Sequence, residues 1–178
     1  MRYISLLRGI NVSGQKKILM KDLKALYENL GFKNVVTYIQ SGNVIFDSDG
    51  SVEDMIAKIQ SAITKQYSFD APVQVREASH FESIIKAFPF VELNLVEEGT
   101  RVMVTFLADV PTQENVEKFM SYVKKPERLV VVGEEVYLHC PNGYGTTKLN
   151  NNFIEKKLGV GATTRNWKSV VKLHTLSN

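Results

Sequence analysis

The sequence is poor in cysteine and contains no long apolar run. Cys140 is the only cysteine in 178 residues, which excludes an internal disulfide framework and favours a reducing compartment. No apolar run approaches the roughly 18 residues that span a bilayer. The apolar run at the N-terminus is too short for the core of a secretory signal, because Arg8 interrupts it. These absences predict a cytoplasmic protein that does not enter a membrane.

A strong excess of charge is also missing. The formal net charge is +3, well short of the excess that is usual for dedicated nucleic-acid-binding proteins. There is no low-complexity tract and no long block of like charge. The mild positive charge therefore permits an anionic partner without requiring one, and the apolar fraction of 44% is sufficient for a hydrophobic core.

The common catalytic and metal-binding motifs are absent. The sequence contains no Walker A loop, G-x-G-x-x-G, G-x-S-x-G or H-E-x-x-H pattern, and its histidines have no short metal-ligand spacing. His139 and Cys140 are neighbours in a predicted strand, so their side chains point to opposite faces and do not pair as base and nucleophile. We predict no metal and no cofactor, name no catalytic residue, and leave open whether the protein is an enzyme.

The first half of the chain has the order β-α-β-β-α-β. A strand over residues 2–11 precedes an amphipathic helix that ends before Gly31. A hairpin then turns at Ser41–Gly42, a capping box at Ser51–Asp54 opens a second helix, and residues 72–76 form a strand. This is the ferredoxin-like order, which predicts the spatial strand order 4-1-3-2.

The second half repeats most of this order. A strand over residues 101–107 is followed by a helix from Pro111 and by a hairpin that turns at Gly133. A helix capped by Thr146 or Thr147 ends at Gly159, and a last helix covers residues 166–176. The half therefore finishes in a helix where the first half has a strand.

Together these patterns predict an α+β protein made of two ferredoxin-like halves in a degenerate duplication. Each half has an antiparallel sheet with helices on one face. We place the N-terminal half at residues 1–92 and the C-terminal half, with its terminal helix, at residues 93–178.

Three motifs occur in order along the chain. They are Leu6–Val12 with Gly14 (LLRGINV, then G), Thr37–Phe46 (TYIQSGNVIF) and Thr164–Trp167 (TRNW). As a set they resemble the bacterial domain of unknown function family 1697, and the resemblance extends over essentially the whole chain. It implies a soluble bacterial protein and supplies no reaction, substrate or catalytic residue.

The first candidate site lies where the first strand ends and the hairpin turns. In the ferredoxin-like order these ends meet at one edge of the sheet, and they carry Arg8, Asn11, Gln40, Ser41 and Asn43. The arginine fork suits a phosphate or carboxylate, and the amides can orient a ligand. Alternatively, Asn11, Ser41 and Asn43 serve the turns through bonds to the backbone, and Arg8 pairs with a local carboxylate.

The second candidate is the glycine-rich loop over residues 139–148, which runs into the predicted helix. Free N–H groups at a helix start attract anions, and Lys148 would add a positive charge. The alternative is a plain capped helix after a glycine-rich turn.

The third candidate is the segment Thr164–Lys168. Arg165, Lys168 and Lys172 could present an anion-binding face beside Trp167, which can stack a base. The alternative assigns Thr164 or Asn166 as a helix cap and predicts that Trp167 fills the seam between the two halves.

We therefore predict a non-catalytic binding module for an anionic ligand, either nucleic acid or a phosphorylated metabolite. An enzyme acting on a small phosphorylated or carboxylated substrate, and a structural or dimerising protein that uses a sheet edge, are the alternatives. The oligomeric state is not predicted. The predicted ligand-binding residues are Arg8, Asn11, Gln40, Ser41, Asn43, Lys148, Arg165 and Trp167.

Overall fold

The structure is a computed structural model that describes residues 1–178. Its strands are β1 (Arg2–Leu7), β2 (Lys33–Tyr38), β3 (Asn43–Asp47), β4 (Val73–Glu77), β5 (Val102–Leu107), β6 (Arg128–Val132), β7 (Glu135–His139) and β8 (Ala162–Asn166). Its helices are α1 (Met20–Asn29), α2 (Val52–Tyr67), α3 (Ala78–Lys86), α4 (Leu95–Glu98), α5 (Gln113–Met120), α6 (Asn151–Leu158) and α7 (Trp167–Ser177). A 3₁₀ turn covers Tyr144–Thr146.

The chain divides into two compact units. Unit 1 comprises Met1–Glu82 and Leu173–Asn178, and unit 2 comprises Ser83–Lys172. These units are defined by packing. The ranges 1–92 and 93–178, as the two copies of the repeat, stay a prediction.

Unit 1 contains a four-stranded antiparallel sheet with the order β2-β3-β1-β4, which confirms the predicted strand order. Helices α1 and α2 pack on one face, where Leu23 and Ile59 contribute to a core with Leu7 and Phe46 of the strands. The Tyr27 hydroxyl lies 2.8 Å from the Ser5 hydroxyl inside this core, and burial raises the tyrosine pKa. A hydrogen-bonded hydroxyl pair is the form in which such groups are tolerated in an apolar interior.

Unit 2 has the same sheet topology, with the order β6-β7-β5-β8. Strand β8 was not expected, because the sequence indicated a helix as the only element after α6. Its residues pair with β5 in antiparallel register, with Thr164 opposite Thr105. The error arose because Thr163 and Arg165 look like loop residues, although both are buried. Each half therefore has the full β-α-β-β-α-β order, and the α+β duplicated architecture is confirmed.

The start of α6 also differs from the expectation. Thr146 ends the 3₁₀ turn and donates its hydroxyl to the Asn142 and Gly143 carbonyls, so it does not cap the helix. The cap is Asn150, whose Oδ1 accepts from the Phe153 N–H at 3.1 Å. Asparagine is a strong N-cap residue, and it shortens the predicted helix at its start.

The two sheets place equivalent residues in equivalent positions. In unit 1, Ile45 lies opposite both Ile4 and Val36. In unit 2, Tyr137 lies opposite both Val104 and Val130. Arg76 pairs with Ile4, and Arg165 pairs with Val104. The duplication is thus visible residue by residue in the register, although no sequence motif is shared.

None of the helices combines the length and the apolar character that a bilayer crossing requires.

Candidate functional site

Arg8 lies directly after β1, in a position fixed by backbone bonds. The Leu7 N–H donates to the Gly42 carbonyl at 2.8 Å, and the Arg8 N–H donates to the Pro72 carbonyl at 2.9 Å. These bonds attach the end of β1 to the β2–β3 turn on one side and to the segment before β4 on the other. The Arg8 side chain is half-buried. The predicted placement of Arg8 beside the turn therefore agrees with the geometry.

Asn11 connects the loop after β1 to the β2–β3 turn. Its Nδ2 donates to the carbonyls of Ile18 (2.9 Å) and Gln40 (2.8 Å), and its Oδ1 accepts from the Ile18 N–H at 2.9 Å. The contact with Gln40 uses that residue's backbone, while its side chain is exposed. Asn11 thus brings two of the predicted segments together through bonds that hold the loop.

Asn43 and Ser41 also serve the turn. The Asn43 Nδ2 donates to the Tyr38 carbonyl at 2.9 Å and to the Ser41 hydroxyl at 3.1 Å. Asn43 is fully buried at the start of β3. These bonds match the alternative in which the polar side chains stabilise the turn. Ligand binding by Asn11, Gln40, Ser41 and Asn43 stays a prediction.

Gly42 permits the close approach of the turn to β1. Its φ is +78°, and a Cβ built on it would lie 2.6 Å from Ile10 Cδ1 and 2.9 Å from Leu7 Cβ. Only glycine combines that backbone conformation with so little space. The turn geometry on which the cluster depends is therefore specified by one residue.

The loop after β1 carries the charge of this region. We define the basic loop as residues 8–17, which contain Arg8, Lys16 and Lys17. No aspartate or glutamate occurs between residues 1 and 21. The Lys16 Nζ donates to the Asp70 carbonyl at 2.5 Å. The sequence patterns did not single out Lys16 and Lys17, because a lysine pair is usually a solvated surface feature. The long interval without a carboxylate was the signal that could have identified them.

The backbone of the basic loop is unusual as well. It takes a positive φ at Gly9, Asn11, Ser13, Gly14 and Lys16. Ser13 and Gly14 form a tight turn that the Gln15 N–H closes on the Val12 carbonyl at 2.9 Å, and the Asn11 N–H donates to the Lys16 carbonyl at 3.1 Å. The positive side chains therefore belong to a compact loop that its own backbone hydrogen bonds hold in shape.

The second candidate, the loop over residues 139–148, belongs to unit 2. Lys148 is exposed and lies two residues before the Asn150 cap. The start of α6 already has internal partners, because Phe153 N–H donates to Asn150 and Asn151 N–H donates to the Tyr144 hydroxyl at 2.9 Å. These bonds leave fewer N–H groups for an anion than the sequence suggested, and ligand binding by Lys148 stays a prediction.

Cys140 lies at the start of this loop and is buried. Burial raises the pKa of its thiol to about 11, so roughly one thiol in a thousand is ionised at pH 8. We expect Cys140 to resist Ellman's reagent in the native protein and to react within seconds in concentrated denaturant. Rapid labelling without denaturant would contradict this burial.

The third candidate also lies in unit 2 and is largely buried. Trp167 is only 5% exposed, and its ring lies 4.4 Å from that of Phe88 at an interplanar angle of 41°. Arg165 is 8% exposed in β8 and donates to the Thr164 carbonyl at 2.9 Å. Burial lowers the pKa of Arg165 to about 10. Of the two proposed caps, Asn166 accepts from the Ser169 N–H at 2.8 Å. Ligand binding by Arg165 and Trp167 stays a prediction.

A charged cluster in unit 2 was not predicted. His139 Nε2 lies 3.1 Å from the Glu98 carboxylate and its Nδ1 lies 3.5 Å from the Arg128 guanidinium. Arg128 also donates to Glu92, and Arg101 donates to Glu98 at 3.1 Å. The hydrogen bond from His139 holds the pKa of Glu98 below its usual value. The cluster attaches the segment around α4 to β6 and β7. It escaped prediction because its members come from separate segments.

A metal site and a surface groove are two further features that could mark a functional site. No group of three or more histidine, cysteine or acidic side chains is placed to hold a metal ion. A surface groove of about 540 Å³ follows α2 in unit 1. It contains none of the predicted site residues and is lined by Leu30, Ala57, Lys58, Ser61, Ala62 and Lys65.

Comparisons with known proteins bear on the fold and the family. The conserved bacterial protein SP0830 from Streptococcus pneumoniae has a similar structure, with a TM-score of 0.80 and 24% sequence identity over 99% of this chain and 98% of that chain. This likeness supports the fold alone. No match was found among curated proteins. The model of a protein family of unknown function, DUF1697, matches residues 1–137. The chain therefore belongs to the DUF1697 family.

Proposed function

We propose that the protein is a non-catalytic binding module for a ligand that carries phosphate groups, and that the basic loop of unit 1 binds it. The observation that carries this proposal is the concentration of Arg8, Lys16 and Lys17 in one loop of a segment without carboxylates. A group of positive side chains attracts phosphate over several ångströms and contributes to binding through released counterions.

The contacts of the loop support a role in binding. The guanidinium of Arg8 offers paired donors that match a phosphate. The hydrogen bonds of Asn11 fix the loop against the β2–β3 turn, so less conformational entropy is lost when a ligand binds. In this proposal Asn11, Ser41 and Asn43 act indirectly, because they hold the turn and the loop in place.

A binding experiment with matched variants tests the proposal. The panel contains sugar phosphates, nucleotides, short RNA and single-stranded DNA, each at low and moderate salt. Binding to the native state raises the melting temperature by mass action. We expect Arg8→Ala to weaken binding roughly ten- to hundredfold, because charged hydrogen bonds contribute about 1.5–3 kcal/mol.

The control is Lys58→Ala, which removes the same charge from an exposed position on α2 of the same unit. It should leave binding nearly unchanged. If both variants lost affinity, the loss in Arg8→Ala would be explained by the change in net charge and not by a contact of Arg8. An affinity that does not change with salt concentration would exclude phosphate contacts. A response to nucleic acid alone, or to one small metabolite alone, identifies which kind of phosphate ligand is bound.

We also propose a cytoplasmic location. The single free thiol of Cys140 supports it, because secreted proteins more often carry paired cysteines.

A further inference from the structure

Strand β6 lies at one edge of the unit 2 sheet. The Leu107 N–H donates to the Glu134 carbonyl at 2.8 Å. In an antiparallel pair, the backbone N–H and C=O groups of successive residues point alternately to the two neighbouring strands. The backbone groups of Val136 therefore point toward β5, and those of Glu135 point toward Val132 of β6. By the same alternation, the N–H and C=O groups of Leu129 and Val131 point away from β7. The outer edge of β6 thus presents backbone donors and acceptors in strand geometry.

The equivalent edge in unit 1 is protected. Strand β2 has an irregular register between Lys33 and Val36, and Asn34 has a φ of +51°. Bulges of this kind disturb an edge and discourage pairing with another chain. Strand β6, in contrast, pairs with β7 along all five residues without a register shift. Its sequence RLVVV is apolar after Arg128, and Val132 is 45% exposed. The equivalent edge strands of the two sheets therefore differ, because β2 is protected against pairing with another chain and β6 is not.

We propose that β6 pairs antiparallel with β6 of a second copy of this chain, around a twofold axis at Val130. In this register Leu129 lies opposite Val131 of the partner subunit, and the reverse pair follows by symmetry. Each outward N–H and C=O of these two residues then has a partner. Pairing at the edge would join two four-stranded sheets into one continuous sheet.

Charge supports a second copy as the occupant of this edge. Lys124 and Lys125 precede β6, and Glu134 follows it in the hairpin turn. Antiparallel pairing brings the basic end of one strand to the acidic end of the other, and the twofold axis repeats this contact. A parallel arrangement would instead put like charges together. The edge is thus complementary to itself in the antiparallel direction.

The side chain at the axis permits a sharp test. Val130 is half-buried at the edge and would lie opposite Val130 of the partner subunit. In sedimentation equilibrium over increasing protein concentration, we expect the mass of the wild-type protein to rise from that of one chain toward that of two. Val130→Lys and Val130→Glu should each stay at the mass of one chain, because like charges meet at the axis. An equimolar mixture of the two variants should recover the larger mass.

Val36→Lys is the matched control, because Val36 occupies the equivalent position on β2. It should not change the association. Circular dichroism and thermal melting confirm that each variant is folded, and Val132→Lys at the more exposed edge position provides a second test in which association should weaken. A wild-type protein that remains a single chain at millimolar concentration would overturn the proposal. Failure of Val130→Lys and Val130→Glu to associate when mixed would also overturn it.

Discussion

Replacing Trp167 by alanine is expected to lower the free energy of unfolding by about 3–5 kcal/mol, the usual cost of removing a large buried aromatic side chain. Trp167 is 5% exposed and contacts the ring of Phe88 at 4.4 Å. Its removal leaves a cavity beside the start of α7 that the Phe88 ring cannot easily fill. Urea denaturation followed by circular dichroism measures the loss without requiring tryptophan fluorescence.

The conservative variant Trp167→Phe separates packing from ligand stacking. It keeps an aromatic ring in the interior and should cost about half as much as alanine or less. An alanine variant that unfolds at nearly the wild-type urea concentration, but no longer binds a phosphate ligand, would contradict the packing role and favour the stacking role predicted from the sequence.

Gly42→Ala is expected to destabilise the protein by about 2–5 kcal/mol. Part of the cost comes from the left-handed backbone, which costs a residue with a Cβ about 1–2 kcal/mol. The rest comes from the new methyl group, which would lie 2.6 Å from Ile10 Cδ1 and 2.9 Å from Leu7 Cβ, since crowding a packed interior typically costs about 1–3 kcal/mol. Thermal and urea unfolding of the two proteins provide the comparison.

Gly133→Ala is the matched control in the other hairpin. Its φ is +56°, but a Cβ there meets no atom within 4 Å, so only the backbone cost of about 1–2 kcal/mol is expected. The difference between the two variants then reports the packing contribution at Gly42. Equal losses would mean that Ile10 and Leu7 move aside without cost.

Most of the element order could be predicted because local signals agreed with the tertiary structure. The capping box at Ser51 was correct, with its hydroxyl accepting from the Asp54 N–H at 3.2 Å. The glycines at the two hairpin turns also marked the strand pairs correctly. In these places turn chemistry, capping and apolar periodicity all indicate the same structure, which is when sequence patterns are most reliable.

Strand β8 could not be predicted from its own residues. Thr163 is 1% exposed and Arg165 is 8% exposed, yet threonine and arginine between a glycine-rich loop and a helix have the composition of a connection. Burial of such side chains depends on hydrogen bonds that only the assembled fold supplies. The first half supplied the available clue, because its order β-α-β-β-α-β ends in a strand. A repeat of that order requires a strand directly after α6.

The sequence predicted which segments meet at the candidate site, but not the hydrogen bonds that their side chains make. Arg8 and the turn do lie together, because the strand order brings the end of β1 to Gly42. The hydrogen-bond partners of Asn11 and Asn43 could not be predicted from the sequence, because the residue type does not distinguish an asparagine that stabilises a turn from one that binds a ligand. Lys16 and Lys17 resemble any solvated lysine pair, and only the absence of a carboxylate between residues 1 and 21 distinguishes their surroundings in the sequence.

The chain's last residues belong to unit 1, where the Arg2 guanidinium donates to the Leu176 carbonyl at 3.5 Å. Arg2 is synthesised well before Leu176, so unit 1 cannot complete its contacts until Leu176 has left the ribosome. Truncating the last six residues should therefore affect the part of the protein that was made first. Because Arg2 and Leu176 are in contact, a short linker between the termini should also allow the chain to be reopened elsewhere as a circular permutant.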